Sequence, residues 1–201
     1  QFNSTDIKES SPILSATLPD GERVQFVRPP ACMKDTISMT IRRPSMEVRT
    51  PESYEESGFY DELHEVSTVR AGSEELLDLY GRFFDEKLKP EELRQVRSDF
   101  MRRCVELGRT VVIAGSTGSG KTTIMAWLLS NVPNNQRLIT IEEGSREFDL
   151  VKRDENGNIL NSVIHLLTRP SENPALNINQ DFLLERVLRK HPNVIGVGEM
   201  R

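Results

Sequence analysis

The chain has 201 residues, a mass of 22.9 kDa, a formal net charge of -5 and a pI near 5.4. Hydrophobic residues at 36% and charged residues at 28% are enough for a core and exclude wholesale disorder. No apolar run approaches the roughly 20 residues that span a bilayer, and the acidic balance counts against a general nucleic-acid binder. Cys32 and Cys104 lie far apart and form no CxxC pair, so a reducing, cytoplasmic setting without a disulfide framework is expected. The start at Gln1 and the stop after an apolar run read as cut ends of a piece holding one or two domains.

Residues 12–42 read as strands. Leu14, Ala16 and Leu18 alternate with Ser15 and Thr17, Pro19-Asp20-Gly21 signals a turn, and Val24 and Phe26 resume the alternation. After Pro29-Pro30, Ile37, Met39 and Ile41 alternate with Ser38, Thr40 and Arg42. Period two predicts a small antiparallel sheet with those apolar residues on its buried face and Arg42 on the other. Residues 43–58 read as a linker, in which Thr50-Pro51-Glu52 can start a short helix. Helical spacing of Leu76, Leu77, Tyr80 and Phe83-Phe84 predicts a helix over 74–87, and that of Leu93, Val96, Phe100, Cys104 and Leu107 a second over 91–107, stopped by Gly108.

From Thr110 the pattern becomes strand, loop, helix, strand. Thr110–Ala114 has the composition of a buried parallel strand, residues 120–131 are helical, and Arg137–Ile141 is a second buried strand. Asn156-Gly157 between two apolar stretches predicts a projecting hairpin over 148–167. Residues 180–190 predict an amphipathic helix capped by Asn179, and Val194–Val197 a third buried strand. Strands alternating with helices predict an α/β sheet.

Gly115-Ser116-Thr117-Gly118-Ser119-Gly120-Lys121-Thr122 fits GxxxxGK[ST] at every fixed position, between a predicted strand and a predicted helix. Glycines let the backbone wrap phosphate oxygens, and successive N–H groups and the helix N-terminus face the anion. Lys121 would reach the β- and γ-phosphates and Thr122 would ligate Mg²⁺, with Thr123 alongside. Phosphoryl transfer also needs carboxylates to hold the metal and orient water. Glu142 and Glu143 follow one predicted strand and Glu199 another, at the strand ends where ligands bind in open α/β sheets.

These residues together resemble a family. Ile139-Thr140-Ile141-Glu142-Glu143 after a GSTGSGKTT loop resembles the acidic box of the secretion ATPase superfamily, the hexameric motors of type II secretion, type IV pili, type IV secretion and conjugation. The run from Leu188 to Arg201, with Gly198-Glu199-Met200-Arg201, resembles its atypical second Walker motif. Leu18-Pro19-Asp20-Gly21-Glu22-Arg23-Val24-Gln25, Arg28-Pro29-Pro30-Ala31-Cys32 and Thr36-Ile37-Ser38-Met39-Thr40-Ile41-Arg42 resemble the type IV secretion and conjugation branch.

The resemblance implies an α/β fold: a P-loop RecA-like nucleotide domain, incomplete at its C-terminal end, after a small α+β domain with antiparallel strands. It divides the chain into 1–44, a linker at 45–58, and 59–201. It implies ATP and Mg²⁺ as cofactors, bound by Gly115–Thr123. Metal and water would be organised by Thr122, Glu142 and Glu143, and the attacking water oriented by Glu199. Lys121, Glu143, Glu199, Arg23 and Arg42 are the implied catalytic set, the two arginines reaching toward the phosphates. On the residues alone Arg23 and Arg42 are solvated strand residues. The implied partners are five further copies in a hexamer, other secretion components and a transported protein or protein–DNA substrate, at the cytoplasmic face of the inner membrane. Sequence-specific nucleic-acid binding is not expected. Against the family pattern, Glu143 stands where the acidic box has Asp, residues 152–163 read as an insertion, and no histidine box is present.

His64, His165 and His191 share no metal-ligand spacing and read as structural or solvated. Trp127 reads as core, Arg169 as a loop arginine, and Arg201 as a possible phosphate or intersubunit contact. Two other function classes stay open: a nucleic-acid motor or recombinase on the same core, and a nucleotide-binding interaction domain without turnover.

Overall fold

The computed structural model describes residues 6–45, 48–61 and 72–200, so His64 and Arg201 lie outside the described residues. The chain divides into two compact units, 1–42 with 101–201 and 43–100. Strands β1 (Ile13–Thr17), β2 (Arg23–Val27) and β3 (Ser38–Arg42) form an antiparallel sheet in that order. The register sets Arg23 opposite Arg42 and Val24 opposite Ile41. The expected period of two is present, and β2 is buried on both faces, with Val24 at 3% exposure, but in β3 the apolar face is the exposed one. Val27 enters the core, while Ile37, Met39 and Ile41 are 74%, 55% and 50% exposed. A polar row, Ser15–Gln25–Thr40, shares the Val27 face, and Gln25 is buried there. Alternation separates two faces; which of them is covered depends on what packs against the sheet.

The second sheet is parallel, in the order β5 (Ser162–Leu167), β4 (Arg137–Glu142), β6 (Val194–Val197). Its central strand is buried on both faces from Leu138 to Glu142, as a parallel strand sandwiched between layers must be. One face carries Ile139, Ile141 and Leu166 against α5 (Gln180–Val187), Val27 and Ala31. The other carries Leu138 against Leu128 and Leu129 of α4 (Lys121–Ser130) and against Phe148 and Leu150. The outer edge of β5 does not stay open. Leu167 N donates to Ala31 O at 3.1 Å and Cys32 bridges Leu166, so an irregular stretch covers the edge.

Two expectations for this unit change. Thr110–Ala114 pairs with no strand among the described residues, and Val112 is 81% exposed, because a cavity separates it from β6. The predicted hairpin reduces to one antiparallel bridge, Arg153 to Ile159, beyond which the chain enters the parallel sheet as β5. Asn156-Gly157 does make the turn, but the lateral partner of 162–167 is β4. The helix at 180–190 is α5 followed by a 3-10 turn over Leu188–Lys190, and Asn179 Oδ1 accepts from Phe182 N at 2.8 Å as its cap.

In the other unit, Thr50 Oγ1 caps α1 (Pro51–Glu56), with Pro51 in the first turn. Helix α2 (Ser73–Phe83) ends four residues before its predicted end, and α3 spans Pro90–Glu106, the unit boundary falling within it. Tyr80, Phe83, Phe84 and Phe100 form a ring cluster with edge-on and tilted contacts. No helix among the described residues is long and apolar enough to cross a membrane.

Lys190, fully buried at the end of the 3-10 turn, donates from Nζ to Ser38 Oγ on β3 at 3.0 Å. Burial pushes its ammonium down to about 8 from the ordinary 10.5, against an opposing effect of Cys32 and with a further downward push from the Arg137 charge. The folded state therefore binds this proton less tightly than the unfolded chain. The cost is full below pH 8 and is relieved as pH rises from about 8 toward 10.5. The Cys32 thiol, raised by burial, acts with the opposite sign. A comparison with Lys190→Met isolates the lysine: wild type should gain stability relative to the variant across that window. Urea midpoints at several pH values check this, and a constant difference would refute it.

Candidate functional site

The Gly115–Thr122 loop leads into α4. Gly118 and Gly120 have φ values of +79° and +86°, and Gly120 serves as the helix N-cap without a side chain. A side chain at Gly115 would put its Cβ 2.6 Å from Ser119 Oγ, so that hydroxyl would have to rotate away. Lys121 Nζ donates to Gly115 O at 3.0 Å and Ser116 O at 2.8 Å, which folds the ammonium over the loop. The sequence pattern and this local geometry have the same cause: a tight wrap that only glycine permits.

The loop borders a cavity of ≈ 1070 Å³. Gly115, Thr117, Gly118, Lys121 and Thr122 line one side, and Glu147, Gly198 and Glu199 also reach it. Of the other loop residues expected at a ligand, Ser116, Ser119, Gly120 and Thr123 are exposed but do not line the cavity. Glu199 is placed by β6. Gly198 N continues the ladder to Ile141 O at 2.9 Å, and Gln180 Nε2 holds Glu199 O at 2.9 Å.

The acidic pair divides. Glu143 is exposed but is not among the lining residues, whereas Glu142 is 1% exposed and points into the α4-side layer. Glu142 Oε1 accepts from the Thr140 hydroxyl and lies 2.7 Å from His165 Nδ1. Glu142 Oε2 accepts from the Glu147 amide and, at 3.1 Å, from Phe148 N. Burial works against the charge, but the hydrogen bonds of His165, Thr140 and the Glu147 amide outweigh it and hold the carboxyl below its usual range. Glu142 therefore already has protein donors at both oxygens. Glu147, which the sequence reading passed over, is the acid of this segment that faces the cavity. The signal was available only in part: Phe148 is a buried anchor, which turns the preceding residue outward.

Arg23 and Arg42 are direct cross-strand neighbours, both exposed, and neither lines the cavity. Like charges in that position repel unless an anion lies between them. Trp127 packs against the α4-side core as expected, and Arg169 donates from Nε to Leu176 O at 2.8 Å and from Nη1 to Glu9 O at 3.1 Å.

Among the described residues no three or more His, Cys, Asp or Glu side chains gather into a metal cage. The polar residues lining the cavity include Lys121, Arg109, three threonines with Thr122 among them, Asn193 and the two separate acids Glu147 and Glu199. That set fits Mg²⁺ held largely by substrate phosphates and water, which is how this small, reluctantly dehydrated ion is usually bound.

Residues 86–201 match the family described as Type II/IV secretion system protein. The chain is similar over its whole length to the type IV secretion system protein VirB11 of Brucella suis, at 40% identity, and to that of Bartonella quintana, at 34%. The type IV secretion system protein PtlH of Bordetella pertussis is also 34% identical over the whole chain. The crystal structure of the VirB11 ATPase from the Brucella suis type IV secretion system, in complex with sulphate, superposes on 99% of this chain with a TM-score of 0.72. The chain spans about half the length of these relatives, 51% to 54%. On the match over residues 86–201, with full-length similarity to VirB11 and PtlH, the chain belongs to the type II/IV secretion system protein family, in its type IV secretion ATPase branch.

Proposed function

We propose that this chain is the nucleotide-binding part of an ATP-hydrolysing motor subunit that powers type IV secretion or conjugative transfer. The observation that carries this reading is one cavity bordered by both the Gly115–Thr122 loop and the carboxylates of Glu147 and Glu199. A nucleoside triphosphate needs both: amides and an ammonium for its phosphates, and carboxylates for metal and water. On this reading the unit is a RecA-like P-loop fold. The VirB11 structure was obtained with sulphate, a tetrahedral oxyanion like a phosphoryl group.

The roles follow from the chain's own groups. Loop amides and the α4 N-terminus receive the phosphates, and Lys121 exchanges its two carbonyl partners for phosphate oxygens. The Thr122 hydroxyl and Glu147 are the groups that would hold Mg²⁺, which neutralises phosphate charge when bound. Glu199 orients and deprotonates the attacking water. Glu142 stays behind Glu147 as its support. Arg23 and Arg42 complete the phosphate shell once domain closure or a neighbouring subunit brings them to it. That agrees with a homo-hexamer working with other secretion components at the cytoplasmic face of the inner membrane.

A fluorescent ATP analogue titrated into the protein is expected to saturate, and more tightly with Mg²⁺. No saturable binding would sink the reading. In the full-length protein, Glu199→Gln should retain that binding while turnover falls about a hundredfold. Arg23→Ala and Arg42→Ala should lower kcat more than they raise KM if the arginines act on transition-state charge; equal loss in both parameters would reject that role. Nucleotide binding without turnover remains the second reading, favoured by the absence of Arg23 and Arg42 from the cavity.

A further inference from the structure

The parallel sheet contains a buried polar group that the proposed chemistry does not touch. His165 on β5 is 3% exposed and stands directly opposite Thr140 on β4. Alternation puts both on the sheet face that carries Glu142. This face is otherwise apolar, packed by Leu128, Leu129 and Phe148. A histidine and a glutamate in such a layer cost free energy unless they satisfy one another. On one side of the ring they do: His165 Nδ1 lies 2.7 Å from Glu142 Oε1 and 2.8 Å from Thr140 Oγ1, and the Thr140 hydroxyl donates to the same carboxylate oxygen, while His165 Nε2 is buried without a hydrogen-bond partner. Nδ1 carries a proton toward Oε1, which uses that half of the carboxylate.

The other half faces a loop. Glu142 Oε2 receives the backbone N–H groups of Glu147 and Phe148. Phe148 is 1% exposed and packed in the core, while Glu147 is exposed and borders the cavity. A carboxylate held at Oε1 by His165 and Thr140 therefore presents Oε2 in a fixed place to the Glu147 backbone. Gly144 N donates to Thr168 Oγ1 at 3.1 Å and Thr168 N to Glu142 O at 3.0 Å, so the start of the loop is tied to the C-terminal ends of β4 and β5 as well. The loop between these ties is short and turns at Gly144, whose φ is +65°. Among the described residues, the Glu142 carboxylate accepts from both the Glu147 and Phe148 amides, next to the Arg146 Nε to Phe148 O bond at 2.6 Å.

We infer that His165 is a positioning residue: with Thr140 it orients the buried Glu142 carboxylate, which pins the Glu147 backbone and so aims the Glu147 side chain at the Mg²⁺ side of the nucleotide cavity. The inference rests on the nucleotide reading given above and adds a chain of support behind it. Ligand-orienting groups of this kind matter because a metal site tolerates little displacement of its carboxylates.

The test uses His165→Phe, which keeps a ring and removes the donor, and His165→Asn, whose amide nitrogen takes the place of Nδ1. Thr140→Val is a milder companion that loses only the hydroxyl. Two quantities are read in the intact protein. Amide hydrogen exchange at Glu147 and Phe148, without nucleotide, should rise about tenfold in His165→Phe, the loss of one hydrogen bond to a charged group. The factor by which Mg²⁺ tightens binding of a fluorescent ATP analogue should shrink about tenfold, as for other groups that orient a metal ligand. Affinity without Mg²⁺, set by the loop and Lys121, should stay unchanged. His165→Asn should restore both quantities, and Thr140→Val should move both in the direction of His165→Phe by less. Unchanged exchange and Mg²⁺ dependence in His165→Phe, failure of His165→Asn to rescue, or an equal fall in Mg²⁺-free affinity would each overturn the inference. ATP binding that does not depend on Lys121 would instead defeat the nucleotide reading, and the exchange measurement, made without nucleotide, keeps the two failures apart.

Discussion

Replacing Lys121 with alanine is expected to remove ATP turnover from the full-length protein, with a loss of about a hundredfold or more. A preorganised charge aimed at the transferring phosphoryl group is worth that much or more in a water-poor site. The ammonium is held by two loop carbonyls, Gly115 O and Ser116 O, so it is already stationed at the mouth of the loop. Its loss should leave the fold intact, because those bonds lie at the surface and no buried group depends on them. The measurements are steady-state phosphate release and a thermal melt on the same sample. An unchanged turnover number would remove the loop from the mechanism. A lost fold would make the turnover result uninformative, in which case Lys121→Met, which keeps the packing of the stem, decides.

The second large effect concerns stability. Glu142→Leu should cost about 3–5 kcal/mol, the range for removing one member of a buried, hydrogen-bonded charged pair. The substitution leaves the His165 Nδ1–H, the Thr140 hydroxyl and the Glu147 and Phe148 amides without their shared acceptor in an apolar layer. A domain of this size has a stability of about 5–15 kcal/mol, so the variant would lose a large share of it. Glu142→Gln keeps a carbonyl oxygen for one side of the cluster and should fall between. Urea denaturation of the three proteins tests the order. If Glu142→Leu unfolds at the wild-type midpoint, the cluster has no structural weight. If Glu142→Gln and Glu142→Leu lose turnover fully while remaining equally stable, Glu142 belongs to the chemistry and the support role falls.

Some of this was legible in the residues. The glycines of Gly115–Thr122 and the caps at Thr50 and Asn179 are local devices, whose geometry depends on neighbours a few positions away. The apolar runs 137–141 and 194–197 could be read as buried strands because a central parallel strand is covered on both faces. The segment 110–114 has the same composition, yet pairing requires the edge of another strand at the right distance, and composition carries no such distance. The Asn156-Gly157 turn was visible, but a turn signal does not say which strand lies beside Ser162–Leu167; β4 does, 25 residues earlier in register.

The candidate acids divide in the same way. By sequence, Glu142 and Glu143 are equivalent neighbours at the end of a strand, and Glu147 is one more charge in a polar loop. Alternation places Thr140 and Glu142 on one face, and the sequence stops there. The layer formed by α4, Phe148 and His165 decides that this face is buried, and so turns Glu142 into a backbone receptor and leaves Glu147 at the cavity. Likewise the β3 pattern separated Ile41 from Arg42 but not the covered face from the open one. The sequence by itself determined the tight Gly115–Thr122 turn, the α/β alternation and the family, because these depend on short-range geometry and residue order. Tertiary structure alone decided which acid borders the cavity and which is buried behind it, because burial is settled by elements distant in the chain that pack on one side of a sheet.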